Sequence, residues 1–203
     1  MRKITIIIIH VLFAFSISNA QSDTLIVPLL SIDTTIVTDV KYATKNNFTG
    51  KILYSTNKIY IRKIVGVALS KIQTDLLVNH NYKLKIFDGY RPLSVQKKMW
   101  KILPDDNYVA NPATGSRHNR GAAVDVTIID SLGNELEMGT EYDNFTEKAH
   151  FAFSDLSDNV KANRTLLRNI MVKYGFNPIK TEWWHFDFSG WENFSILDVE
   201  IKQ

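Results

Sequence analysis

A histidine and an aspartate stand seven residues apart in the stretch SRHNRGAAVD, residues 116–125. The following segment, Ala122 to Ile129, is rich in β-branched residues and predicts a strand whose successive side chains point to opposite faces. Asp125 then lies on a small, polar face, and Gly121 allows the preceding loop to fold His118 back toward it. On this stretch alone, an exposed loop histidine and a capping aspartate are the alternative interpretation.

A second histidine lies in the aromatic segment EWWHFDF, residues 182–188. Alternation along a strand would turn every second aromatic residue toward the core and leave His185 on the opposite face. Glu182 precedes it by three residues, at the expected bend into the strand, where its carboxylate can reach a water beside His185. His118, Asp125 and His185 then form a three-ligand zinc set with an open fourth position, and Glu182 supplies a general base.

An arginine follows a predicted strand in the stretch FDGYRP, residues 87–92. Gly89 turns the chain at the end of the strand, and Pro92 stiffens the backbone next to Arg91. An arginine held in this way offers a fixed fork of N–H donors to the oxyanion of a hydrolytic intermediate. The alternative is an arginine in a surface salt bridge.

Helices and short strands alternate along the chain and must position these residues. Apolar residues recur at helical spacing from Ile61 to Leu77 and from Ser157 to Tyr174, and a shorter helix is expected from Ser94 to Leu103. Lys83 to Asp88 alternates as a strand, and Pro104 to Gly115 is expected to be a loop. We predict a single α+β domain with a central, mainly antiparallel sheet flanked by helices, and a zinc site on the sheet.

Composition narrows the classes of function. The 203-residue chain has no cysteine, which excludes disulfides, a thiolate nucleophile and thiolate metal ligands. Its 24 basic and 21 acidic residues give a net charge of +3, too even a balance to indicate a nucleic-acid partner. Hydrophobic residues make up 45% and charged residues 22%, values typical of a soluble globular domain.

The first twenty residues differ in character from the rest. Two basic residues precede an apolar run from Ile4 to Ile17, and small residues at Ser18 and Ala20 fit a cleavage site. We therefore expect a signal peptide over residues 1–20, a mature domain over residues 21–203, export to the periplasm or out of the cell, and no membrane span after cleavage. An uncleaved anchor is the alternative, although the run is short for a span and contains His10.

Together these stretches resemble the D-alanyl-D-alanine dipeptidases, the VanX-like group of the M15 zinc peptidases. The pattern Ser-x-His-x-x-Gly-x-Ala-x-Asp fits residues 116–125, Glu-x-x-His fits residues 182–185, and Gly-Tyr-Arg-Pro fits residues 89–92. Similar stretches at residues 42–50 and 136–143 point to the dipeptidases rather than to the wider family of D,D-carboxypeptidases.

The resemblance implies a role for each matching residue. His118, Asp125 and His185 would bind one zinc ion per chain. Glu182 would be the general base and proton shuttle, and Arg91 would stabilise the oxyanion. The implied fold is one zinc peptidase domain over residues 21–203.

Two further residues are implied to bind the substrate. Ser116 and Asp143 would hold a small dipeptide. Asp143 would bind the free ammonium group of that dipeptide. The expected function is zinc-dependent hydrolysis of free D-Ala-D-Ala to two D-alanines, in connection with the bacterial cell wall. A D,D-carboxypeptidase or endopeptidase acting on peptidoglycan stem peptides would use the same zinc ligands in an open cleft. A non-catalytic wall-binding module would have no need of Glu182.

Overall fold

The computed structural model describes residues 24–201, so the predicted signal peptide lies outside the described residues. Seven strands and three α-helices alternate along this part of the chain. None of these helices has the length and apolar character needed to cross a membrane. The helices are α1 (Lys63–His80), α2 (Leu93–Trp100) and α3 (Asp158–Lys173). The strands are β1 (Ile26–Pro28), β2 (Val37–Thr38), β3 (Tyr60–Arg62), β4 (Lys83–Asp88), β5 (Ala123–Ile129), β6 (Phe176–Pro178) and β7 (His185–Phe188).

A five-stranded sheet in the order β2-β4-β5-β7-β6 forms the centre of the fold. β2 runs parallel to β4, and the other neighbouring strands of this sheet run antiparallel. β1 and β3 pair antiparallel as a separate two-stranded sheet. This architecture confirms the predicted α+β domain with a mainly antiparallel central sheet.

The middle strand, β5, is buried on both of its faces. Val124, Val126 and Ile128 belong to the hydrophobic core. Asp125 and Thr127 occupy the other face, as alternation predicts, and they too are shielded from solvent. Because a buried carboxylate needs hydrogen-bond partners, the Asp125 position on this face of β5 is suited to an internal polar site.

The two long helices bury the apolar positions that their spacing predicts. In α1, Leu69, Ile72 and Leu76 are fully buried, and each such side chain contributes about 1.5–3 kcal/mol through burial. The predicted start at Ile61 is wrong, since that residue belongs to β3 and the helix begins at Lys63. The reason is that β3 leads directly into α1, so the apolar pattern of the strand merges with that of the helix.

α3 follows its predicted bounds within one residue at each end. The Ser157 side chain accepts a hydrogen bond from the Val160 N–H, which satisfies one of the free N–H groups at the helix start. Gly175 follows the helix with φ 88°, a left-handed conformation that terminates helices and that glycine adopts without strain. Local capping signals therefore determine where α3 begins and ends.

Candidate active site

The register of the sheet brings Asp125 and His185 together. They are direct partners across the β5–β7 pair, so their side chains share one face. Asp125 Oδ1 lies 3.1 Å from His185 Nδ1. Two residues separated by sixty positions in the sequence thus become neighbours because of strand pairing alone.

His118 reaches the same point from a tight turn before β5. A short 3-10 helix, His118–Arg120, ends at Gly121 with φ 65°, and the chain folds back as the glycine predicted. His118 Nδ1 lies 2.8 Å from the Gly89 carbonyl oxygen, to which it donates. Its Nε2 is thereby left facing His185 Nδ1 at 3.2 Å and Asp125 Oδ1 at 3.4 Å.

The three facing atoms form a nearly equilateral triangle with sides of 3.1, 3.2 and 3.4 Å. Tetrahedral zinc, with bonds of about 2.0–2.2 Å, holds its ligand atoms about 3.3 Å apart. Between residues 24 and 201, one group of three histidine or carboxylate side chains is close enough together to hold a metal ion. It consists of His118, Asp125 and His185. The donor set and its spacing therefore fit a divalent metal such as zinc.

The orientation of His185 is fixed by a second carboxylate. Asp187 Oδ1 lies 2.9 Å from His185 Nε2 and accepts a hydrogen bond from it, which leaves Nδ1 for the metal position. Although burial opposes the charged form, hydrogen bonds to Asp125 and Asp187 raise the pKa of His185 to about 10 in the metal-free protein. A metal ion held at Nδ1 would replace the Nδ1 proton of this imidazolium and leave the Nε2 proton on its hydrogen bond to Asp187. The sequence pattern placed Asp187 on the His185 face, but we did not predict its role.

Glu182 lies just before β7 and points toward the ligand set without joining it. It is only 6% exposed, and its Oε2 is 3.8 Å from His185 Nδ1. Burial raises the pKa of Glu182 to about 8, an effect that the nearby His185 charge partly offsets. A buried carboxyl group that exchanges a proton near neutral pH is suited to general acid–base chemistry.

Arg91 is buried, so the alternative of a surface salt bridge is wrong. Its Nε and one terminal nitrogen donate to Asp88 Oδ2 at 3.0 and 2.7 Å, and the other terminal nitrogen donates to Gln96 Oε1 at 2.9 Å. Asp88 Oδ1 accepts from the Tyr54 hydroxyl at 2.7 Å. These bonds hold the guanidinium rigidly, and removal of Asp88 would cost about 3–5 kcal/mol by leaving a buried charge unpaired.

Asp143 belongs to a loop and has φ 61°, a left-handed conformation that aspartate tolerates better than most residues. Its carboxylate accepts from the Tyr42 hydroxyl at 3.1 Å and from the Phe48 N–H at 3.0 Å. Burial raises the pKa of Asp143 to about 7, against the opposing effect of the Phe48 N–H. Within residues 24–201 no cation lies within ion-pair distance of it.

Ser116 is buried at the turn that precedes His118. Its Oγ accepts a hydrogen bond from the Asn119 N–H at 3.2 Å, and its own N–H donates to Asn119 Oδ1 at 2.8 Å. The Ser116 hydroxyl donates no hydrogen bond to any residue between 24 and 201, so the group retains a donor for another molecule.

One cavity joins all of the predicted site residues. The volume open to the centre of a water molecule is about 110 Å³. Aromatic side chains of three loops, Phe48, Tyr108 and Phe145, form part of its wall, and Phe145 contacts the other two. The predicted residues that line it are Arg91, Ser116, His118, Asp125, Asp143, Glu182 and His185.

Asn119 supports the site, although no pattern in the sequence points to this role. Its side-chain amide donates to the Arg91 carbonyl at 2.7 Å, and its Oδ1 accepts from Ser116. Its own carbonyl accepts from the Leu197 N–H at 2.9 Å. Asn119 thus joins the Arg91 turn, the His118 turn and the C-terminal segment, residues 194–201.

Tyr142 is a second supporting residue, and its role does not follow from the sequence pattern. Its hydroxyl donates to Asp125 Oδ2 at 2.9 Å and lies 3.2 Å from the Tyr42 hydroxyl. Because Oδ2 is engaged in this way, Asp125 presents Oδ1 alone to the two histidines. A tyrosine seventeen residues away gives no local pattern that would reveal this contact.

Comparison with known proteins identifies the family. A family model described as D-ala-D-ala dipeptidase, Peptidase_M15, matches residues 22–195. The D-alanyl-D-alanine dipeptidase of Escherichia coli K12 is 35% identical over 159 residues, which cover 78% of this chain and 82% of that protein. The D-alanyl-D-alanine dipeptidase of Enterococcus faecium is 34% identical over 169 residues, which cover 73% and 83% of the two chains. The chain therefore belongs to the D-Ala-D-Ala dipeptidase family of M15 peptidases.

Proposed function

We propose that this protein is a zinc-dependent dipeptidase that hydrolyses free D-Ala-D-Ala to two D-alanines. The observation that carries the proposal is one cavity in which three metal ligands, a buried glutamate and a fixed arginine meet. The names of the relatives, which are D-alanyl-D-alanine dipeptidases, support the same substrate.

Hydrolysis needs a general base, and Glu182 is the residue of this site that can provide it. Zinc, when held by His118, Asp125 and His185, would polarise the scissile carbonyl and acidify the attacking water. Glu182 takes one proton from that water as the water oxygen bonds to the carbonyl carbon. It returns the proton to the leaving amine when the C–N bond breaks, so the carboxylate is regenerated.

Arg91 is suited to stabilise the oxyanion that develops on the carbonyl oxygen. Of the five N–H donors of a guanidinium, three are engaged by Asp88 and Gln96, and one remains on each terminal nitrogen. Since Asp88 fixes the plane of the group, these donors need no reorganisation during the reaction.

Asp143 favours a free dipeptide over a longer chain. A buried carboxylate without a cationic partner among the described residues is suited to bind the ammonium group of the substrate. A D,D-carboxypeptidase or endopeptidase would act on peptides that have no ammonium group at this residue.

We expect efficient hydrolysis of D-Ala-D-Ala and weak hydrolysis of N-acetyl-D-Ala-D-Ala and L-Ala-L-Ala. Acetylation removes the charge that pairs with Asp143, and the loss of such a charged hydrogen bond lowers kcat/KM about tenfold to hundredfold. The L,L isomer misplaces the carbonyl, which costs on the order of 10²-fold. The measurement is kcat/KM for the three peptides with one zinc-loaded preparation. Equal cleavage of the acetylated peptide would favour the carboxypeptidase and remove the role of Asp143.

We also propose that the protein is exported after removal of residues 1–20. The charged start, apolar run and small residues at Ser18 and Ala20 support this proposal. The mature chain is expected to begin at or near Gln21, and N-terminal sequencing of the exported protein checks this. A mature chain that still carries Ile6 to Ile9 would contradict cleavage.

A further inference from the structure

We propose that Arg117 binds the α-carboxylate of the dipeptide and so makes a free C-terminus a requirement of the substrate. This inference rests on the proposed function for the identity of the substrate. It adds a carboxylate-binding residue that neither the predicted roles nor the mechanism above includes.

The charges of the substrate demand such a residue. A free dipeptide is a zwitterion, and Asp143 accounts only for its positive end. The carboxylate loses hydration on entering the cavity, and a cationic partner offsets this cost more effectively than neutral donors such as the Ser116 hydroxyl. Among the described residues, the lysines and arginines that line the cavity are Arg91 and Arg117. Arg91 is largely engaged by Asp88 and Gln96 and is assigned to the oxyanion.

The side chain of Arg117 is held in place while its terminal nitrogens stay available. Its guanidinium lies over the Trp191 ring, 4.5 Å from the centroid, and its Nε is 3.5 Å from Asp187 Oδ2. The terminal nitrogens make no hydrogen bond to any residue between 24 and 201. The side chain is 44% exposed, so solvent and substrate can both reach it. A fixed fork with free terminal donors matches the geometry of a carboxylate.

The position of Arg117 suits the short reach of a dipeptide. It stands directly between Ser116 and the metal ligand His118 in the sequence. It also contacts Asp187, whose other oxygen bonds to the outer nitrogen of His185. In a dipeptide, the carboxylate carbon lies within about 4 Å of the scissile carbonyl carbon, as bond lengths dictate. A carboxylate-binding group must therefore lie beside the metal ligands, as Arg117 does.

Arg120 provides a matched control. Its guanidinium also lies over Trp191, at 5.4 Å from the ring centroid, but a terminal nitrogen donates to the Phe194 carbonyl oxygen. Arg120 does not line the cavity. Replacement of either arginine removes one positive charge next to the same tryptophan, and of the two only Arg117 lines the cavity.

The test compares D-Ala-D-Ala with its C-terminal amide, which is neutral at that end. We expect the native enzyme to favour the free acid by roughly tenfold to hundredfold in kcat/KM, since the charged hydrogen bonds are lost with the amide. Arg117→Gln should remove this preference through a higher KM for the acid and leave the amide unaffected. Arg117→Lys should keep part of the preference, and Arg120→Gln all of it.

An equal loss on both substrates, or a preference that survives Arg117→Gln, would overturn the proposal. An equal loss accompanied by lower zinc content would assign Arg117 to the support of Asp187 and His185 instead. Calorimetric binding of the acid and the amide to zinc-loaded Glu182→Gln, with and without Arg117→Gln, gives the same comparison without turnover. If the enzyme cuts N-acetyl-D-Ala-D-Ala rather than the free dipeptide, the proposed function fails. In that case, comparison of N-acetyl-D-Ala-D-Ala with its C-terminal amide tests the role of Arg117 independently of the proposed function.

Discussion

Glu182→Gln is expected to keep its metal and lose turnover. A general base contributes typically about 10²–10⁴-fold, and kcat for D-Ala-D-Ala should fall by that factor because an amide cannot accept the proton of water. Glutamine has the shape of a protonated glutamate, so the buried position tolerates the change. The measurement is kcat together with zinc content, and Glu147→Gln, at an exposed position, is the control.

Two outcomes would contradict the assignment of Glu182. A variant with nearly normal kcat would remove the residue from the mechanism. A variant that loses zinc would make Glu182 a ligand, whereas the group that could hold a metal among the described residues consists of His118, Asp125 and His185. Burial raises the pKa of Glu182 in the metal-free protein, and a divalent cation nearby would favour the ionised base.

His118→Ala and His185→Ala are each expected to abolish zinc binding and, with it, activity. The native chain should bind one zinc ion, because three protein ligands and one open position complete a tetrahedral catalytic site. Two remaining ligands do not suffice for a tight site. Metal analysis after dialysis measures the stoichiometry, and circular dichroism verifies that the variants are folded. His80→Ala, an exposed histidine at the end of α1, is the control.

Retention of one zinc ion per chain by both histidine variants would show that the ligand set is wrong. Loss in only one of them would show that the other histidine is not a ligand. The two variants test different elements of the fold, since His118 depends on the turn at Gly121 and His185 depends on strand pairing.

Regular elements with local signals could be predicted from the sequence. β4 has the predicted bounds, and α3 matches within one residue at each end because its start and end carry a serine cap and a glycine. That His118, Asp125 and His185 come together could also be predicted, since alternation placed Asp125 and His185 on polar faces of their strands. Glycine at position 121 indicated how His118 could approach Asp125.

Supporting contacts between distant segments could not be predicted. Asp88 and Arg91 belong to the same motif. Their hydrogen bonds to Tyr54 and Gln96, however, involve residues from outside that motif. Tyr142 reaches Asp125 only because a loop folds over the sheet. Periodicity describes one element at a time, whereas these hydrogen bonds arise from the packing of several.

The C-terminal segment sets the order in which the site can be completed during synthesis. The Leu197 N–H binds the Asn119 carbonyl, and the Val199 N–H binds the Tyr90 hydroxyl at 2.8 Å. Chains are made from the N-terminus, and earlier parts can fold first. Residues 197–199 are made after every strand of the sheet and all three candidate ligands, so these two bonds are the last that the turns carrying Arg91 and His118 can gain. A chain shortened before Leu197 would keep the three candidate ligands and lose two of the bonds that hold these turns.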